Sequence, residues 1–173
     1  MKIKVIIFLH ILFWGFISPQ LPARGTYQEP QAFLEDVFDG SVPVVSKLWI
    51  QNETKQQVRS ILGHDLGVLR VSYWREGERT AWILEEIGKS LPITVGIVIN
   101  ANKIEKVKIL IFRESRGWEV RYPFYTDQFL NVKLKDKNEL DKGIDGISGA
   151  TLSVRAVNRL AVLSLYFHQL VTQ

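Results

Sequence analysis

Cysteine is absent from the 173-residue sequence. Its absence excludes disulfides, a lipid-modified cysteine anchor, thiolate metal sites, and any iron–sulfur cluster or haem held by cysteine. Histidine is scarce. His10, His64 and His168 are too scattered to suggest a metal site, and His64 and His168 read most simply as surface or half-buried residues. No Gly-x-Gly-x-x-Gly follows a strand and opens a helix, so the dinucleotide-binding fingerprint is missing. Spacing reveals no nucleophile–base pair or carboxylate dyad, and no repeat, low-complexity tract or interdomain linker interrupts the chain. Redox work by this chain would need a borrowed cofactor.

An excess of one charge sign is also missing. The formal net charge is +4, and without Lys2 and Lys4 the balance is about +2, too small and dispersed to point to nucleic acid. Apolar residues make up 46% and charged residues 23%, ordinary values for a globular chain. The length suits a single domain with its own core.

The N-terminus reads as a targeting segment. Lys2 and Lys4 precede an apolar run from Val5 to Ile17, broken only by His10 and Gly15, and Ser18, Pro19 and Pro22 end it. Such a run fits a signal core of about 7–15 residues and is shorter than the roughly 20 that span a bilayer. The expectation is a signal peptide over residues 1–23. Leu21 is not the small residue usual before a cleavage site after Ala23, so a short uncleaved anchor stays open. Either way the domain is expected on the periplasmic or extracytoplasmic face of a bacterial membrane.

Apolar spacing predicts helices over Gln28–Phe38 and Asn52–Leu62, the second with Asn52 as N-cap and Gly63 past its end. Gly67–Trp74 and Thr80–Leu84 read as a hairpin about a Glu76-Gly77-Glu78 turn. Ile93, Val95, Ile97 and Ile99 share one face of a strand. A turn at Asn100–Lys103 returns the chain along Val107, Ile109 and Ile111, which gives an antiparallel pair. A short helical piece is expected over Phe124–Phe129, and the charged Lys133–Lys142 stretch reads as solvated surface. Leu152, Ala156, Leu160, Leu163, Phe167 and Leu170 form one helical stripe, with Thr151, Arg155 and Asn158 on a polar side. The fold class is therefore a single α+β domain, its antiparallel or mixed sheet packed by helices and closed by a C-terminal amphipathic helix.

Asp145-Gly-Ile-Ser148-Gly149-Ala150-Thr151-Leu-Ser153 leads directly into that last helix. A helix start offers free N–H donors and a positive dipole end, which suit a phosphate. Gly149 and Ala150 leave room for one, and Arg155 lies one turn on. The simpler alternative is that Ser148 or Asp145 caps the helix, Gly149 makes the turn and Arg155 is solvated.

The pattern Asp-x-x-Ser-Gly-Ala-Thr-x-Ser resembles that of the FMN-binding domain family. That family includes the covalent-flavin subunits of the sodium-pumping NADH:quinone oxidoreductase and the Rnf complex, and small exported flavoproteins. The resemblance implies FMN esterified through its phosphate to Thr151 by a flavin transferase that uses FAD and Mg²⁺. Asp145, Ser148, Gly149 and Ala150 would be the flanking recognition and phosphate contacts. Glu114, Ser115 and Gly117 resemble the family's Glu-Thr-Pro-Gly-Leu-Gly loop beside the flavin, with Arg116 in place of the proline and Glu119 in place of the final glycine. As a lone residue Glu114 reads as a strand-end surface charge; the resemblance sets a flavin contact level with that reading. Trp118 could stack near the ring, although Trp49, Trp74 and Trp82 are equally good core candidates. Gln128-Phe129 matches a family Phe, and Asn131 stands where a glycine is expected.

The resemblance covers residues 92–173, the FMN-binding region, while residues 24–91 carry no transferable motif. It implies an electron carrier rather than a stand-alone enzyme, working between a membrane-bound redox partner and an extracytoplasmic acceptor. An exported binding or sensory domain without flavin, a flavin-dependent reductase and a structural membrane subunit are the alternatives.

Overall fold

The computed structural model describes residues 24–173. The signal peptide expected over residues 1–23 lies outside them. Six strands form one sheet: β1 (Gly25–Thr26), β2 (Ser46–Trp49), β3 (Arg70–Glu76), β4 (Arg79–Ile87), β5 (Pro92–Asn100) and β6 (Lys103–Phe112), in the order β1-β6-β5-β4-β3-β2. Every neighbouring pair is antiparallel. Helix α1 (Pro30–Val37) covers one face, and α2 (Asn52–Leu62) and α4 (Thr151–Thr172) cover the other, so the fold is α+β with a C-terminal helix on the sheet. The short α3 (Pro123–Thr126) sits between two 3₁₀ turns in the segment joining β6 to α4. Among the described residues no helix is long and apolar enough to cross a membrane.

The predicted strand pair and hairpin are present, but β6 departs from strict alternation. Thr94 pairs with Ile111 and Val95 with Ile109, which leaves Leu110 as an extra residue. A bulge of this kind turns the following side chains over. Leu110 and Ile111 therefore both pack toward α1, and Phe112 returns to the α4 side. The single face expected for Val107, Ile109 and Ile111 holds only for the first two.

Helix α2 has the expected limits but a different cap. Gln51 is the N-cap, Asn52 takes φ +50, and no side chain bonds the free N–H groups. Asn is among the few residues that tolerate this conformation. Trp82 is fully buried, whereas Trp49 is 55% exposed on edge strand β2 with the Arg70 guanidinium over its ring.

Ala156, Leu160, Leu163 and Phe167 are buried as the stripe requires, but Leu152 is 39% exposed. The polar side is confined to the first turns of α4. From Leu160 to His168 the helix is buried all round, because the sheet and α2 enclose it.

His168 is 1% exposed, a correction to the surface or half-buried reading. The Asn102 N–H donates to its Nε2 at 3.3 Å, so the ring proton sits on Nδ1, 2.8 Å from Thr80 Oγ1. Trp82 Nε1–H donates to the same oxygen at 2.9 Å. A second ring proton would face the Asn102 N–H. Burial, with a smaller push from Arg75, lowers the His168 pKa to about 4. The unfolded chain takes up this proton near pH 6.5 and the folded chain does not. Stability from the neutral ring is therefore full above 6.5 and is lost as pH falls toward 4. The loss is about 3 kcal/mol. Chemical denaturation from pH 7 to 4 is expected to show this slope in the parent and a flatter one in His168→Gln. Equal slopes would refute the assignment.

His64 behaves oppositely. Its ring bonds the Asp65 carbonyl and, at 3.0 Å, the buried Glu86 carboxylate, and both contacts raise its pKa. Its contribution is present at low pH and is lost as pH rises through the folded value.

Candidate functional site

The start of α4 opens onto a cavity of about 590 Å³. Residues Gly149 to Ser153 form one wall, and Lys89, Glu114, Ser115 and Arg116 form the rest. Three separate stretches of chain thus meet: the β4–β5 turn, the loop after β6 and the first turn of α4.

Two buried contacts hold them in place. Gly117 takes φ +84, and a Cβ built there would lie 2.4 Å from Ser153 Oγ and 3.5 Å from Ala150 Cα. Only glycine lets the β6 loop lie this close against the helix start. The second contact is Glu114, 6% exposed, whose Oε1 accepts the N–H groups of Lys89 at 2.6 Å and Leu91 at 2.8 Å, and that of Ser90 as well. Burial alone would raise this carboxyl's pKa, but these N–H bonds and the Lys89 charge together hold it below its ordinary 4.5. Glu114 therefore shapes the β4–β5 turn that rims the cavity, besides lining it.

Glu114→Ala is expected to cost about 3 kcal/mol at pH 7, the loss of a charged acceptor shared by several donors. Glu114→Gln, which keeps an oxygen in place, should cost less. Denaturant midpoints read both values. The carboxylate's contribution is full above pH 4.5 and falls as acid protonates it in the folded state.

The helix start itself is open. Ala150 is the N-cap, no side chain caps it, and the first turn carries no acidic residue. Neither Ser148 nor Asp145 serves as cap. Gly149, at φ +80, faces open space, and Ala150 is buried beneath the first turn. Thr151 and Leu152 are exposed. Thr151 also borders a second cleft of about 470 Å³, which is where Arg155 and Asn158 lie.

Thr151, Gly149, Ala150, Glu114 and Ser115 are thus brought together, while Arg155 lines the second cleft only. Ser148 and Asp145 are exposed and line neither; the Asp145 N–H donates to Gln128 Oε1 at 2.8 Å. Trp118 is half-buried outside the cavity, under the Arg121 guanidinium at 4.9 Å and edge-on to Tyr122. Asn131 takes φ +64, the left-handed conformation a glycine would adopt freely, so it can stand in that glycine's place. Lys89, Leu152 and Ser153 were missed. Lys89 sits in a turn with no motif, and Ser153 belongs to the pattern but gave no sign that it would be buried.

Residues 88–163 match the FMN-binding domain. Over this stretch the chain is similar to the FMN-binding domain family. The match takes in all three walls of the cavity, from the β4–β5 turn to the middle of α4. No curated protein and no solved structure matches the chain. The matched stretch comprises β5, β6, the segment after them and most of α4.

Proposed function

We propose that the domain carries FMN joined by a phosphoester to Thr151 and relays electrons. The donor would be a membrane-bound redox partner and the acceptor would lie outside the cytoplasmic membrane. The observation that carries this reading is the exposed Thr151 hydroxyl on the first residue of an uncapped helix, at the mouth of a cavity. Free N–H groups at a helix start suit a phosphate monoanion. The open space above Gly149 leaves room for it, and Lys89 and Arg116 supply cations on the opposite wall. The donor set fits FMN.

Attachment would be a phosphoryl transfer, with no electrons exchanged. The Thr151 oxygen bonds the FMN-side phosphorus of FAD, the bond to AMP breaks, and AMP leaves. The hydroxyl proton passes to the flavin transferase, whose Mg²⁺ neutralises the diphosphate. Bound flavin supplies reversible electron uptake. The chain's own residues retain and orient it: the N–H groups of the first turn hold the phosphate, Glu114 keeps the β4–β5 rim in place, and Gly117 seats the opposing loop. Retention by a covalent bond suits a compartment where a dissociated cofactor is diluted away, which agrees with the signal-like segment over residues 1–23.

The test is intact mass, visible spectrum and peptide mapping of protein produced with and without a flavin transferase. Transferase-dependent addition of one FMN mass, with flavin absorption and the adduct mapped to Thr151, is the expected result. A colourless protein of unmodified mass, under conditions that flavinylate another family member, would refute it and favour the flavin-free binding domain.

A further inference from the structure

We infer that Lys89 and Arg116 raise the reduction potential of the flavin, a role that rests on the Thr151 attachment proposed above. Both line the Thr151 cavity, and among the described residues neither side chain has an ion-pair or hydrogen-bond partner. Both nonetheless rise from backbone that is held firmly. Lys89 is in the turn whose N–H groups Glu114 collects, and Arg116 precedes Gly117, which packs against Ser153.

The charge balance gives them their work. The first turn of α4 already offers its N–H groups and positive dipole end to the phosphate, which as a diester keeps a single negative charge. Glu114, the one acid lining this cavity, is held ionised and spends one oxygen on three N–H groups. Counting side chains, two cations face one anion. That surplus would face a flavin held in this cavity. Reduction adds negative charge to the flavin, and cations beside the ring stabilise the reduced form more than the oxidised one. Because Lys89 and Arg116 are exposed at the cavity mouth, water and salt screen part of this effect.

The experiment is a spectroelectrochemical titration of the flavinylated parent, Lys89→Gln and Arg116→Gln, each shown by intact mass to carry one FMN. Lys47→Gln, on β2 at the far edge of the sheet, is the control. Each cavity variant is expected to reduce the equilibrium constant for two-electron reduction about tenfold, a shift of about 30 mV to more negative potential. The control should keep the parent's potential, and added salt should narrow the gap between parent and variants. Fully flavinylated variants that retain the parent's potential would overturn the inference. Variants that instead lose the FMN mass would assign these cations to attachment and overturn it too. A parent with no FMN mass overturns the attachment itself.

Discussion

Thr151→Ala is expected to abolish covalent flavin completely while leaving the fold as stable as the parent. The two outcomes separate because Thr151 does nothing structural that alanine cannot do. Its side chain is exposed, it makes no capping bond, and alanine suits the first turn of a helix. The change in stability should stay within about 0.5 kcal/mol. The neighbouring hydroxyls cannot take over. Ser153 is 4% exposed beneath Gly117, and Ser148 lies before the helix, outside the cavity wall. Intact mass after co-production with a transferase reads the first outcome, and a denaturant midpoint reads the second. Residual attachment in Thr151→Ala would mean that another side chain is the acceptor.

Gly117→Val should have the largest effect on the site as a whole. A β-branched side chain at φ +84 is strained by about 1–2 kcal/mol before any contact is counted. Its Cβ would also overlap Ser153 Oγ, 2.4 Å away, and press on Ser153 Cβ at 3.2 Å. Strain and overlap together should cost about 3 kcal/mol and push the β6 loop off the start of α4. Stability and flavin content should therefore fall together, in contrast with Thr151→Ala. Gly117→Ala offers a finer reading, since adding Ser153→Ala removes the 2.4 Å contact and should restore part of the loss. A Gly117→Val protein with parental midpoint and full flavin would refute the packing argument.

Much of this fold was legible because its elements are marked locally. The β5–β6 pair follows from period-two alternation about a short turn, and α2 and α4 from apolar residues at helical spacing. What stayed hidden depends on partners far away in sequence. Ile111 leaves its expected face because of a bulge set by the pairing with β5, not by the pattern of β6 itself. His168 looks like a polar interruption in a helix, and its partners Thr80 and Asn102 are 88 and 66 positions away. Two-residue β1 is too short for any periodic signal.

The site shows the same division. Thr151 could be singled out as the proposed acceptor because the resemblance that points to it rests on nine contiguous residues entering α4. Lys89 could not be seen from sequence, because it reaches the cavity only through the Glu114 carboxylate, 25 positions away. The resemblance pointed to Glu114 as a flavin contact, whereas its hydrogen bonds show that it also braces the turn opposite. Arg116 could be noticed only as a replaced proline, and the cavity gives that replacement a physical meaning.

The burial of α4 bears on when the proposed acceptor becomes available. The 22 residues that begin with Thr151 form the central post of the core, enclosed on all sides from Leu160 to His168. A helix start cannot stand ready while its own body is unpacked, so Thr151 is presented in its finished setting only after the chain well beyond it has docked. The cofactor would then be added to completed domains and withheld from half-folded ones, making its colour a certificate of successful maturation.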